Sequence, residues 1–225
     1  MSFSPEWEER FRESTHISNW PWSDLVSYVM RYANPNDRPF KILELGCGSG
    51  ANIPFFLAFK TVKFFGIDGS ASIIKLLQKK FPSIEGNLVV GDFTHNIPFE
   101  GDFDLIVDRA AMTSNSTKAI ESCLDLIYEK LKPGGKYIGI DLYSTANSEY
   151  KKGDIAEDNL TKTNFLDGPF VGIGRVHFFD KYQLLKLFKK FEILRLEHKT
   201  NKFEIPATDN IFATWNILAQ KKFRN

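Results

Sequence analysis

Lys41-Ile-Leu-Glu-Leu-Gly-Cys-Gly-Ser-Gly50 is the stretch that decides how this chain folds. A short apolar run, Ile42, Leu43 and Leu45, carries an acid and then breaks into glycines at three alternate positions, 46, 48 and 50. The run reads as a buried strand and the glycines as the tight turn that follows it. Glycine permits positive φ and lets a ligand approach where a Cβ would clash. A strand, a glycine turn and a helix hold nucleotide-like ligands at the edge of doubly wound sheets. Gly46 to Ala51 also fits G-x-G-x-x-G/A, so the glycines alone do not separate a nicotinamide dinucleotide from other adenosyl ligands. Glu44 tips the balance. A carboxylate just before the turn suits a ligand with positive charge there and repels a pyrophosphate.

Composition bounds the rest. At 225 residues the chain is long enough for one α/β core and short for two, so residues 1–225 are expected to form a single domain. With 29 Lys and Arg against 28 Asp and Glu, the balance does not suggest a protein that lives on phosphate backbones, and no nucleic-acid partner is expected. No apolar stretch approaches the roughly 18 residues that span a bilayer, so membrane insertion is not expected. The N-terminal stretch Met1-Ser-Phe-Ser-Pro-Glu-Trp-Glu-Glu9 is acidic where an export signal would be basic and then apolar. Cys47 and Cys123 make no disulfide framework and read as buried reduced thiols, which fits a cytoplasmic location. His16, His95, His177 and His198 show no metal-ligand spacing, so no metal is expected.

Coarsely, the chain alternates. Strands are expected near 41–45, 62–67, 87–91, 103–108, 135–142, 191–197 and 211–220. Helices are expected near 22–33, 52–59, 70–80, 117–131 and 180–190, with Asp180 as an N-cap and Ser70 and Asp24 as weaker start signals. Such alternation implies a mostly parallel sheet with right-handed crossovers. Residues 1–33 read as helices capping the domain. Residues 143–179 break the rhythm with Asn, Asp, Lys, Gly and Thr, and read as an irregular insertion over the acceptor site.

Two more anchors follow the first. In Phe64-Phe-Gly-Ile-Asp68 an apolar strand ends in an acid 18 residues after Gly50, near the spacing at which a carboxylate accepts bonds from ribose hydroxyls. The same acid, followed by Gly69 and Ser70, also fits a helix N-cap. In Leu88-Val-Val-Gly-Asp-Phe93 an acid and an aromatic leave the third strand side by side, suited to bond an exocyclic amine and cover a flat base.

Together with Phe103-Asp104-Leu-Ile-Val-Asp108 and Leu131-Lys-Pro-Gly-Gly135, these segments resemble the class I S-adenosylmethionine-dependent methyltransferases, in that family's order and over about residues 20–220. The sulfonium and amino group of S-adenosylmethionine supply the positive charge that Glu44 calls for. The resemblance implies an α/β, Rossmann-like doubly wound sheet of seven strands in the order 3-2-1-4-5-7-6, the last antiparallel, with helices on both faces. It also implies that Glu44 and the glycines Gly46, Gly48 and Gly50 face the methionine part, Asp68 the ribose, and Asp92 with Phe93 the adenine, with Cys47 and Gly69 also among the cofactor contacts. Asp108 completes the expected cofactor contacts.

The acceptor is less legible. Asn19-Trp-Pro-Trp-Ser-Asp24 and Asp108-Arg-Ala-Ala-Met-Thr-Ser-Asn115 look like a bacterial subgroup that modifies surface polysaccharides or other sugars, which implies a small-molecule acceptor such as a sugar or sugar nucleotide. Trp20 and Trp22 read as caps over the cofactor, as stacking surfaces for a sugar ring, or as a hydrophobic clamp of the first helix. Arg109 reads either as a fork for an anionic acceptor or as an ion pair with Asp108 or Asp141. The proton of a hydroxyl or amine acceptor would leave through His177 or Asp108, although His177 equally fits a histidine bonded to backbone at a helix entry. A nicotinamide-dependent oxidoreductase and a non-catalytic methyltransferase-like subunit are the alternatives, and the expected assembly is a monomer or homodimer.

Overall fold

The structure is a computed structural model that describes residues 4–36 and 38–223; residues 1–3 of the expected N-terminal cap lie outside that range. The core sheet has seven strands: β1 (Phe40–Leu45), β2 (Val62–Asp68), β3 (Leu88–Val90), β4 (Phe103–Arg109), β5 (Leu131–Tyr143), β6 (Glu192–Glu204) and β7 (Ala207–Gln220). Their order is 3-2-1-4-5-7-6. Strands β1 to β5 pair in parallel, while β7 runs antiparallel to both β5 and β6.

Alternation along the strands feeds two cores. Leu43, Leu45, Phe65, Ile67 and Ile106 join one apolar cluster, while Ile42, Phe64, Leu105 and Val107 join the other. The first is covered by α5 (Thr117–Lys130) and α6 (Lys181–Leu187), through Ile120, Cys123, Leu124, Ile127 and Leu184. The second is covered by α1 (Pro5–Arg12), α2 (Ser23–Tyr32), α3 (Ile53–Leu57) and α4 (Ala71–Lys80), through Phe11, Leu25, Val29, Phe56, Ile73 and Leu77. Burial on both faces explains why the central strands read as continuous apolar runs.

The helix starts follow local chemistry. Ser70 Oγ accepts from Ile73 N at 3.1 Å, Ser116 Oγ from Ala119 N at 3.4 Å and Asp180 Oδ1 from Gln183 N at 2.7 Å, so each satisfies a donor of the first turn. Asp24 is not a cap; it sits in the first turn of α2 behind Trp22.

Residues 143–179 run mostly through turns and bends but also carry short ordered elements that the sequence did not show. Asp154–Ile155, Thr161–Thr163 and Val176–His177 form a small antiparallel sheet. Phe165, Phe170, Ile173, Val176 and Phe178 pack into a third apolar cluster. Strands of two and three residues are too short to show a period in a polar sequence.

Candidate active site

A cavity of about 290 Å³ opens at the carboxyl ends of the central strands. Its walls include Glu44, Gly46, Cys47 and Gly48 after β1, Asp68 and Gly69 after β2, and Asp92 and Phe93 after β3. Ligands of open α/β sheets bind at this edge.

Glu44 is buried, and Asn52 Nδ2 donates to its Oε1 at 2.7 Å. Its Oε2 is buried with no hydrogen-bond partner. Burial, reinforced by Asp108 and Asp68, pushes the Glu44 carboxyl up to about 8 despite the Asn52 bond. An orphaned carboxylate oxygen at the cavity wall is the chemistry that a ligand ammonium would complete.

Gly46 and Gly48 have φ of +60° and +48°, which side chains rarely adopt. A Cβ on Gly46 would lie 2.2 Å from the Ala111 Cβ, whereas one on Gly48 would meet nothing closer than Phe11 at 3.7 Å. Gly46 is thus required by packing and Gly48 by conformation and access. Gly50 is not in the cavity wall, a correction to the sequence expectation: a Cβ there would lie 2.6 Å from Leu77, so it serves the contact of the turn with α4.

Asp68 is the acid at the end of β2. Its Oδ2 accepts from Gly48 N and its Oδ1 from Ser70 N, both at 2.9 Å, which ties two turns together. The helix cap itself is Ser70. Burial raises Asp68 to about 6. Asp92 Oδ1 accepts from Thr94 N and Oγ1 at 3.0 and 2.6 Å, and this turn presents Phe93 to the cavity.

Asp108 and His177 are not among the residues that line the cavity. Asp108 is fully buried: Oδ1 accepts from Ala111 N at 2.8 Å and Met112 N at 3.2 Å, and Oδ2 from the Tyr137 hydroxyl at 3.3 Å. Burial lifts it to about 7, but its place is beneath the turn after β4. Neither the expected cofactor contact nor the proton-acceptor role fits that position.

His177 is equally enclosed. The Thr161 hydroxyl donates to Asp158 at 2.9 Å, which leaves it to accept from His177 Nδ1 at 2.9 Å, and Gln183 closes the other ring nitrogen at 3.1 Å. Burial drives this imidazole down to about 4. Both nitrogens are used inside the fold, so the expected role as a base at the cavity is corrected.

Arg109 does line the cavity. Nη2 donates to Asp141 Oδ2 at 3.1 Å, and the guanidinium lies 3.5 Å from the centroid of the Trp22 ring. Trp22 therefore helps to form the site, whereas Trp20 is 82% exposed and stands outside it.

Helix α1 and the 143–179 segment roof the cavity, through Trp7, Arg10 and Phe11 and through Tyr143, Phe170 and Ile173. Arg10 joins the two, donating to the carbonyls of Gly172 at 3.1 Å and Val171 at 2.6 Å. Trp7 Nε1 donates to Ser114 Oγ at 3.1 Å, linking the roof to the turn after β4. Sequence reasoning missed Asn52, Trp7, Arg10 and His16. Asn52 carried a signal, being a polar residue in the glycine turn within reach of a buried acid; the others sit in segments without a motif.

Fold and cavity floor together are similar to those of S-adenosylmethionine-dependent methyltransferases. Residues 42–135 match the family model described as a methyltransferase domain. The chain is 34% identical, over 134 residues covering 55% of it and 41% of the relative, to the tRNA N(3)-methylcytidine methyltransferase Mettl2 of Drosophila melanogaster. It is 29% identical, over 108 residues covering 48% of it and 49% of the relative, to an uncharacterized methyltransferase of Synechocystis. An S-adenosylmethionine-dependent methyltransferase of Methanosarcina mazei superposes with a TM-score of 0.66 at 20% identity, over 91% of this chain and all of that one. The chain spans less than half the length of the curated relatives it matches, 41% to 49%. Among the described residues no helix is long and apolar enough to cross a membrane, and no group of three or more His, Cys, Asp or Glu is placed to hold a metal ion.

Proposed function

We propose that this chain transfers a methyl group from S-adenosylmethionine to a small molecule bound beneath the α1 roof. The observation that carries the reading is the Glu44 carboxylate, buried at the glycine turn with one oxygen lacking a partner. In this reading Glu44 and the Gly46–Gly48 turn hold the methionine end, Asp68 with Gly69 the ribose, and Asp92 with Phe93 the adenine. S-adenosylmethionine supplies an activated methyl, so no covalent nucleophile is needed from the protein. The chain's work is alignment of the acceptor in a dry site, a contribution of about 7–11 kcal/mol.

A small acceptor is supported by the roof, which encloses the cavity with aromatic side chains. A sugar is less well served, because Trp20 lies outside the cavity. Likeness to Mettl2 favours a second reading, a nucleotide within tRNA. Calorimetry tests the central claim: S-adenosylmethionine and its demethylated product should bind with micromolar affinity and NAD negligibly. Comparable NAD binding would return the oxidoreductase alternative. Electrophoretic retardation of unmodified tRNA by the S-adenosylhomocysteine complex would move the acceptor to RNA.

A further inference from the structure

The charged residues of the cavity are segregated by element. Its acids, Glu44, Asp68 and Asp92, come from the ends of β1, β2 and β3, whereas its cations, Arg10 and Arg109, come from α1 and the end of β4. The acids belong to the proposed cofactor side. The cations face a different group of side chains. Arg109 lies against Trp22, and only its Nη2 is engaged by Asp141, while its Nε is buried without an acceptor. Tyr143, Phe170 and Phe212 add flat apolar walls.

His16 completes this side. Of the four histidines it alone lines the cavity. Its ring stands edge-on to Trp7 with centroids 5.0 Å apart and 6.5 Å from Phe11. We propose that the acceptor is a planar, acidic hydroxyl compound, a phenol or an enol, held as its anion by Arg109 and Arg10 with His16 taking the proton. This rests on the reading of the cavity as a methyl-transfer site.

The chemistry of the wall supports it. A flat ring fits between aromatic faces, and an oxyanion is the partner a guanidinium fork binds best. An aliphatic hydroxyl would give Arg109 no charge to pair beyond Asp141. Crowding by Trp7 and Phe11, then the positive charges of Arg10 and Arg109, hold the His16 imidazole below its ordinary value, so it is neutral and able to accept a proton near pH 7. Asp141, which pairs with Arg109, does not itself line the cavity. In the transfer the acceptor oxygen forms the bond to the methyl carbon as the carbon–sulfur bond breaks and its electron pair stays on sulfur. The hydroxyl proton passes to His16 and then to water.

The probe is 4-nitrophenol, whose phenolate absorbs visible light and so reports its own ionisation. It is titrated from pH 5 to 9 into protein first shown by calorimetry to be saturated with S-adenosylhomocysteine. Saturable binding is expected, with the bound phenol's pKa lowered by about 1–3 units, as for an acid beside a positive charge. Arg109→Gln should weaken phenolate binding at least about tenfold, and Arg109→Lys should restore part of it. His16→Gln should make binding near pH 6 release a proton to the buffer, where the unaltered protein retains it. Absence of saturable binding, an unlowered pKa, or tighter binding of the neutral 4-nitrobenzyl alcohol would overturn the proposal. Equal proton release in both proteins would remove His16 from it. Failure to bind S-adenosylhomocysteine would instead remove the methyl-transfer reading itself.

Discussion

Asn52 Nδ2 donates to Glu44 Oε1 at 2.7 Å, so one oxygen of this buried carboxyl is held while the other, Oε2, has no partner. Asn52 belongs to the turn that Glu44 precedes, and its own Oδ1 accepts from Trp22 N at 3.2 Å. The pair thus links the floor of the cavity to the segment that enters α2. It also fixes a carboxyl where burial keeps it protonated at neutral pH.

Ligand binding should therefore be coupled to that proton. With the free carboxyl at about 8, a cationic ligand that requires the ionised form displaces a proton at pH 7. The affinity for S-adenosylmethionine should rise by up to roughly tenfold per pH unit from pH 6 and level off above the Glu44 value. Calorimetry in buffers of different ionisation enthalpy should show proton release at pH 7. Glu44→Gln should bind more weakly and lose this slope; a variant that keeps it would place the titration elsewhere.

The stability of the free protein should fall as pH rises from 6 to 8. Asp68, Asp108 and Glu44 are raised to about 6, 7 and 8 in the fold, so each binds its proton more tightly there than in the unfolded chain. Their stabilisation is complete below about pH 4 and is lost as pH climbs through those values. Thermal melts at pH 6, 7 and 8 should show a declining Tm, partly recovered by S-adenosylmethionine. A Tm that climbs across this range would contradict the burial of these groups.

Gly46→Ala and Gly48→Ala should fail differently. The new Cβ at Gly46 has the Ala111 Cβ at 2.2 Å, so folding suffers first. At Gly48 there is room, and the strain of a left-handed residue costs about 1–2 kcal/mol. This variant should fold and lose ligand. Melting and S-adenosylhomocysteine titration of both would separate the cases, and equal melting temperatures would refute the distinction.

Asp68→Ala should lose about 1–3 kcal/mol of affinity for S-adenosylhomocysteine, the range for a hydrogen bond to a charged group. Because Asp68 also holds the Gly48 and Ser70 amides, a lower Tm is expected alongside. Unchanged affinity in calorimetry would remove Asp68 from the ribose.

His177→Ala should behave as a core substitution. Removing a ring bonded to Thr161 and Gln183 should cost about 1–3 kcal/mol of stability and leave cofactor affinity unaltered. With an acceptor in hand, its pH–rate profile should keep the shape of the parent. A lost basic limb would return His177 to the chemistry.

Much of the sheet and the cavity floor was legible in the chain itself. Strand β1, the glycine turn, and the acids ending β2 and β3 are local: apolar runs, Gly46 and Gly48 at positive φ, and Ser70 and Asp180 as caps all act over a few residues. Such features leave a period or a punctuation mark in the sequence. Tertiary structure decided the rest. Asp108 and His177 each read as functional by position, yet burial and hydrogen bonds from Ala111, Met112, Tyr137, Thr161 and Gln183 take up their polar atoms. Gly50 kept the motif's spacing but answers to Leu77 in α4. His16 has no motif around it; it lines the cavity only because α1 is carried across the glycine turn and tied through Arg10 to residues more than 160 positions away. Contacts of that range leave no periodic trace, because they depend on how separate elements pack and not on the spacing within any one of them.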